Sequence, residues 1–248
     1  MMAKRIYLLT MLLLGCLWLG ACSDDPEPAA EEPTPEEEAG PVPTDPDGGS
    51  AEGNFFKLIR VENFKGDTAV DDESEKTRPI FYSLEENIAR GSNYVKTSRW
   101  DMSFSNIKNS AIAGNYGKDS RNFGSGNNAI GGIYIVEKTF DEVVDVPKDA
   151  VFKTDGFGYG TDDRGAFGTG IGWYLYDFGG LYGPPHVAYA QNDRTLIVRT
   201  GKGNYAKVRM ISLYKDAPEA PETHTPSPYF TFEYVLVPKE SDRFEIKE

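Results

Sequence analysis

The sequence is poor in the residues from which reactive centres are built. Of its 248 residues only two are cysteine and two are histidine. Cys16 and Cys22 both fall at the extreme N-terminus, so the rest of the chain has no thiol for a disulfide, a nucleophile or a zinc site. No Gly-x-Ser-x-Gly or His-Glu-x-x-His motif occurs, which removes the usual scaffolds of serine hydrolases and metalloproteases. Paired carboxylates for glycoside hydrolysis stay open, because acidic residues are plentiful and their separation in space is invisible here. Basic residues are scattered and outnumbered, 26 against 39 acidic ones, which excludes the concentrated positive face of a nucleic-acid binder. The expectation is a protein that is not an enzyme and has no nucleic-acid partner.

Long hydrophobic runs are equally scarce. The one example, Ile6 to Leu19, follows Lys4 and Arg5 and ends in Leu19-Gly20-Ala21-Cys22. As a helix it would reach only about 21 Å, short of the roughly 30 Å hydrocarbon core of a bilayer. Residues 1–21 therefore read as a bacterial lipoprotein signal, with Cys22 the lipid-bearing residue that ties the mature chain to a membrane. A plain secretory signal with an incidental cysteine is the alternative. From 22 to 53 the chain is rich in Pro, Glu and Asp and lacks Lys and Arg, and Val42 is its one aliphatic residue larger than alanine. Such a segment cannot bury enough apolar surface to fold and reads as an acidic, Pro-stiffened tether. It carries most of the net charge of −13, so the acidity belongs to the tether and is no argument for a cationic ligand. Its start, Ser23-Asp24-Asp25, resembles the export signals of surface-exposed lipoproteins of Bacteroidota, which implies an outer-membrane, surface location.

Residues 54–248 are enough for one domain. The clearest structural signal is Thr195 to Tyr214, where aliphatic and β-branched runs flank Gly201-Lys202-Gly203-Asn204, predicting a tight hairpin. In its second strand Ala206, Val208, Met210 and Tyr214 share one face, and Tyr205, Lys207 and Arg209 the other, which meets water near the turn, while Ile211 and Leu213 farther along it predict that this end is covered. Further strands are predicted at Phe55 to Phe64, Ile80 to Leu84, Ser98 to Ser105, Ile133 to Val136 and Tyr229 to Val237. The Ser98 to Ser105 strand is expected to be half-buried, anchored by Trp100. Thr139 to Val144 is a candidate helical turn. The fold class is all-β: an antiparallel, two-layer sheet domain with long Gly- and aromatic-rich loops and little helix.

Two stretches carry no period. Ile107 to Gly132 reads as a long functional or mobile loop, and 155–191 alternates glycine with aromatics. Its glycines lack the strand and helix that a phosphate-binding loop requires. Two readings remain: turns whose Trp173, Tyr174 and Tyr176 pack into the core, or an aromatic-lined clamp for a flat apolar ligand. Asp162-Asp163 reads as a solvated loop and not a calcium site. Met102 and Met210 sit at inward strand positions and read as core.

The ordered set Trp100-Asp101-Met102-Ser103-Phe104, Gly131-Gly132, Trp173-Tyr174-x-Tyr176, Arg199 to Val208 and Tyr229-x-x-x-Glu233-Tyr234 resembles the HmuY family. These are haem-capturing lipoproteins of Bacteroidota. The resemblance implies a hand-shaped all-β domain that holds haem or a related porphyrin between loops and hands it to an outer-membrane receptor. It also implies two axial side chains, His or Met, in the loops around the Trp-x-x-Tyr region. This chain supplies one: His186, in the later loop, is the candidate metal ligand. The earlier loops contain neither His nor Met, leaving Tyr116 or Tyr159 as an oxygen ligand. Tyr182 and Trp173 are the candidates to stack on a porphyrin face, and His224 reads as a bystander. The competing function is a glycan- or protein-binding adhesion lipoprotein on the same fold without haem ligation.

Overall fold

The computed structural model describes residues 51–68 and 76–247. The signal at 1–21, Cys22 and the tether up to residue 50 lie outside the described residues. In chain order the strands are β1 (Leu58–Lys65), β2 (Lys76–Ser83), β3 (Ile88–Arg90), β4 (Met102–Ile107), β5 (Ala111–Gly114) and β6 (Gly132–Val136). They continue with β7 (Tyr174–Asp177), β8 (Val187–Ala190), β9 (Thr195–Arg199), β10 (Tyr205–Ser212) and β11 (Tyr229–Val237). The described residues contain no α-helix, only the 3-10 turns Ala51–Gly53 and Ser92–Tyr94. The fold is all-β and antiparallel, as expected from the periodicity.

A five-stranded sheet in the order β1-β11-β10-β9-β6 faces a four-stranded sheet in the order β3-β2-β4-β5, and β7-β8 form a separate pair. Between the two larger sheets lies a core of aromatic and aliphatic side chains, including Tyr82, Phe104, Ile112, Ile133, Val198, Val208, Phe230, Phe232 and Tyr234. Rings of opposite sheets meet directly: Phe104 lies 4.6 Å from Phe230, and Tyr82 stands edge-on 5.3 Å from Phe232. Each such fully buried side chain contributes roughly 1.5–3 kcal/mol of hydrophobic stabilisation. Met102 and Met210 are in this core. Pro79 sits inside β2 at a register shift between Thr77 and Ile80, where β3 does not yet pair with the strand, so its missing N–H leaves no ladder bond unmade.

The cover over the polar face of β10 reaches closer to the turn than the periodicity predicts. The face of β10 expected to meet water carries Lys207, which is only 6% exposed. A second apolar cluster of Phe140, Val143, Val146, Phe152, Tyr205 and Phe244 covers that face. The Lys207 ammonium donates to the carbonyls of Phe140 and Val143 and sits 4.3 Å above the Phe140 ring. Residues 139–144 form this cover as a turn, not a helix. Likewise β4 is buried on both faces: Ser103 is fully enclosed, and Trp100 packs on Phe81, which in turn meets Phe123. The stretch after β4 is no open loop. It contains β5, and residues 115–131 are pinned by three asparagines. Asn122 donates to the carbonyls of Gly114 and Thr154, Asn115 to that of Trp100, and Asn127 to that of Thr97. At the other end, Ala51 is buried in the main core, so the last residues assigned to the tether by composition pack on the domain.

The predicted hairpin is present as β9-β10, and its turn is docked on two buried carboxylates of the facing sheet. Glu85 accepts hydrogen bonds from the Thr200 hydroxyl (2.6 Å) and Asn204 Nδ2 (2.9 Å) and pairs with Lys202. Asp101 accepts from the backbone N–H of Gly201, Leu84 and Glu85. Burial, reinforced by the Glu85 charge, pushes the Asp101 carboxyl up to about 7 against the pull of those amides. Because the folded state then holds a proton that the unfolded state releases near pH 4, stability falls as pH rises from about 4 to about 7. We expect the unfolding free energy to drop by about 2 kcal/mol between pH 5 and 7. Denaturant titrations at the two pH values check this; Glu85→Gln should flatten the slope, and a wild type more stable at pH 7 than at pH 5 would contradict it.

Candidate functional site

A cavity of about 970 Å³ opens where the β7-β8 pair stands over one end of the two sheets. Its walls come from the β4-β5 turn (Asn106, Ile107, Lys108, Ser110), the segment Lys153 to Thr161, the loop Phe167 to Ile171, and Tyr174, Tyr176, Phe178 and His186 around the β7-β8 connection. Each wall has its own local fixing. In the β4-β5 turn Asn106, Lys108 and Asn109 all have positive φ, which asparagine tolerates best among residues with a Cβ. Buried Asn109 locks this turn by donating to the carbonyls of Arg78 and Phe104. Tyr159 joins β5 through reciprocal backbone hydrogen bonds with Ile112. That approach demands glycine at 158, where φ is +56° and a Cβ would stand 1.8 Å from the Ile112 carbonyl oxygen.

The loop 161–172 is held by Asp162, which is fully buried rather than solvated. Its carboxylate takes hydrogen bonds from the backbone N–H and Nε of Arg164, from Gly172 N–H and from Arg194 Nε. Although burial opposes ionisation, these donors and the Arg194 charge hold the carboxyl down at about 2. The β7-β8 connection is organised by Asp177, which accepts from the backbone N–H of Leu181 (2.8 Å), Tyr182 (2.6 Å) and Gly183 (3.2 Å). Burial works against its charge, but these amides keep its carboxyl below the ordinary value. The Asp177 carbonyl also receives the His186 N–H at 2.7 Å. From sequence Asp162 was weighed only as part of a calcium site, and Asp177 was not singled out. For Asp177 the readable signal was an aspartate followed by Phe-Gly-Gly, a composition that favours side-chain-capped turns.

The residues proposed from sequence divide between cavity and core. His186 lines the cavity, and its Nδ1 lies 2.9 Å from the Tyr176 hydroxyl. Its φ of +62° places an ordinary side chain in the left-handed region, a conformation often stored at functional positions. Tyr159 lines the cavity too. Burial raises its pKa against the pull of a backbone hydrogen bond with Ile135, which disfavours the phenolate, and Lys153 Nζ sits 4.5 Å over the ring. Trp173 is 1% exposed and donates from Nε1 to the Ser110 carbonyl; it belongs to the main core and is not in the cavity wall, so its stacking role is corrected. Tyr182 is exposed but also lies outside the wall. Tyr116 is outside it as well.

Other aromatic residues of this stretch take the exposed positions at the cavity. Phe157, Phe167 and Phe178 are 68%, 74% and 51% exposed at this site, far above the norm for such side chains. Phe178 stands edge-on to Phe167 at 5.4 Å and to the His186 ring at 4.9 Å, and Tyr176 closes the group. Contiguous exposed apolar side chains around a concavity are uncommon on the surface of a folded domain. Among the described residues no three His, Cys, Asp or Glu side chains gather as a metal cage.

No protein-family model matches the sequence, and no curated protein matches it. Two solved structures are similar in shape. One is a provisionally assigned HmuY-like haem-binding protein from Bacteroides vulgatus, 14% identical, with a TM-score of 0.38, covering 72% of this chain and 90% of that one. The other is a provisionally assigned lipoprotein from Bacteroides fragilis, 13% identical, with a TM-score of 0.37, covering 72% of this chain and 87% of that one. At such scores the cavity itself has to carry any functional reading.

Proposed function

We propose that this protein binds haem or a related porphyrin in the cavity below the β7-β8 pair, as a carrier without catalytic activity. The observation that carries the reading is the combination in one wall of His186, its Tyr176 hydrogen bond and exposed aromatic rings. The residues fit the group on three counts. The volume lies at the upper end of the roughly 300–1,000 Å³ of small-molecule sites, the wall is largely apolar, and an imidazole with one nitrogen already bonded offers the other to a metal. Bound haem would supply an iron centre open to axial ligation, with His186 the nitrogen donor on the wall.

A haemin titration followed by absorbance tests this. We expect a saturable Soret band at one haemin per chain, with the spectrum of a site that has a single strong axial ligand. No spectral change, with binding to a glycan or protein partner instead, would favour the adhesion reading. The resemblance read from the sequence further supports anchoring through lipid on Cys22, outer-membrane surface exposure and delivery to a membrane receptor. Fractionation checks the anchor: Cys22→Ala should move the chain out of the membrane pellet, and a variant that stays there would refute it.

A further inference from the structure

The pairing of Tyr176 with His186 carries a further inference, which rests on the porphyrin reading above. The fold fixes the two residues to different degrees. Tyr176 is half-buried on β7, its backbone in register with Ala188 of β8, and its carbonyl accepts the Ala166 N–H at 2.9 Å. A Cβ at residue 165 would stand 2.7 Å from the Tyr176 nitrogen, so glycine there lets the loop 161–172 close on the strand. His186 is exposed on the β7-β8 connection, and its ring is held at two points. Nδ1 lies 2.9 Å from the Tyr176 hydroxyl, and Phe178 meets the imidazole edge-on at 4.9 Å. Nδ1 is thus the engaged nitrogen, and Nε2 is the one left for a metal. A neutral imidazole has one N–H and one lone pair, and a metal takes the lone pair. If the phenol donated to Nδ1, the ring proton would sit on Nε2 and close that nitrogen to a metal. Ligation through Nε2 therefore requires the reverse polarity, with Nδ1–H donating and the Tyr176 oxygen accepting.

We infer that Tyr176 is a positioning residue for His186: its hydroxyl oxygen takes the Nδ1 proton and fixes the imidazole in the tautomer and orientation that leave Nε2 to the ligand. The same hydrogen bond raises the basicity of the ligating nitrogen. Tyr176→Phe tests this, because it keeps the aromatic ring and removes the acceptor. Wild type and variant are titrated with haemin and with iron-free protoporphyrin IX, by absorbance and by quenching of intrinsic fluorescence, with melting midpoints recorded to show that the variant is folded. The affinity advantage of haemin over the iron-free ring should shrink by about tenfold in the variant, the lower end of what loss of an outer partner costs a metal-bound histidine. In the ferrous complex the iron–histidine stretch, read by resonance Raman, should move to lower frequency, a shift that a packing role would not produce. An undiminished advantage, as when both porphyrins weaken equally, or an unmoved stretch in the folded variant overturns the positioning role and leaves the porphyrin site standing. An iron–phenolate vibration that disappears in the variant would make Tyr176 the ligand itself and overturns the role too. Haemin that fails to bind the wild type overturns the porphyrin reading and the positioning role together.

Discussion

His186→Asn is expected to weaken haemin binding by roughly a hundredfold, or about 3 kcal/mol, and to blue-shift or abolish the Soret band. Asparagine is the informative replacement because residue 186 has φ of +62°, a region it occupies more readily than alanine. The fold should not notice the change. His186 is exposed, its N–H to Asp177 bond is a backbone bond, and exposed substitutions usually stay within about 0.5 kcal/mol. For a domain of this size that is about 1–2 °C in melting midpoint. A variant that binds haemin with unchanged spectrum and affinity would remove His186 from the site. Parallel losses of binding and of stability would make it a structural residue.

The largest effect on stability is expected at Asp162. Asp162→Ala leaves the guanidinium of Arg194, itself only 5% exposed, without its buried counter-charge, and strips acceptors from Arg164 and Gly172. Breaking a buried pair from one side costs about 3–5 kcal/mol, hence a fall of roughly 6–20 °C in midpoint. Because Asp162 fixes the loop carrying Phe167 and Ile171 into the cavity wall, haemin affinity should fall as well. The pH dependence identifies the cause. A carboxyl held at about 2 when folded, against an ordinary value near 4, stabilises fully above pH 4 and loses that contribution as pH falls through 2. The wild type should therefore lose stability on acidification over that window, and Asp162→Ala should lose less. Thermal melts from pH 7 down to pH 2 decide it; a variant within 1 °C of wild type at pH 7 would mean that Arg194 finds another partner.

The hairpin β9-β10 was legible because its determinants are local: Gly201 and Gly203 at the turn and aliphatic runs on either side. The strands that went unread have few local determinants. β5 is Ala111-Ile112-Ala113-Gly114, with one large apolar residue, and it exists because both its edges find partners in β4 and the Tyr159 bridge. Strands β7 and β8 are four residues each within a glycine-rich stretch, too short for an alternation to stand out. The burial of Lys207 depends on Phe140 and Phe244, far from it in the chain, which no periodicity reveals. The site follows the same division. His186 was visible through the scarcity of histidine and through its place in the loop where the resemblance implies an axial ligand. Which of the neighbouring aromatics point outward was not, and Trp173 went to the core while Phe157, Phe167 and Phe178 took the exposed positions. Asp177 acts through backbone amides of its own loop, chemistry that any Asp-Gly-rich segment shares, and Asp162 adds to such amides the guanidinium of Arg194, thirty-two residues away.

The central claim is that the cavity beneath β7-β8 holds a porphyrin against His186, and a crystal structure of the domain with haemin bound tests it most directly. The account predicts iron bonded to the His186 ring nitrogen not engaged by Tyr176, with the macrocycle packed against Phe157, Phe167 and Phe178. Haemin lodged elsewhere on the domain, or seated in the cavity with its iron away from His186, would contradict it.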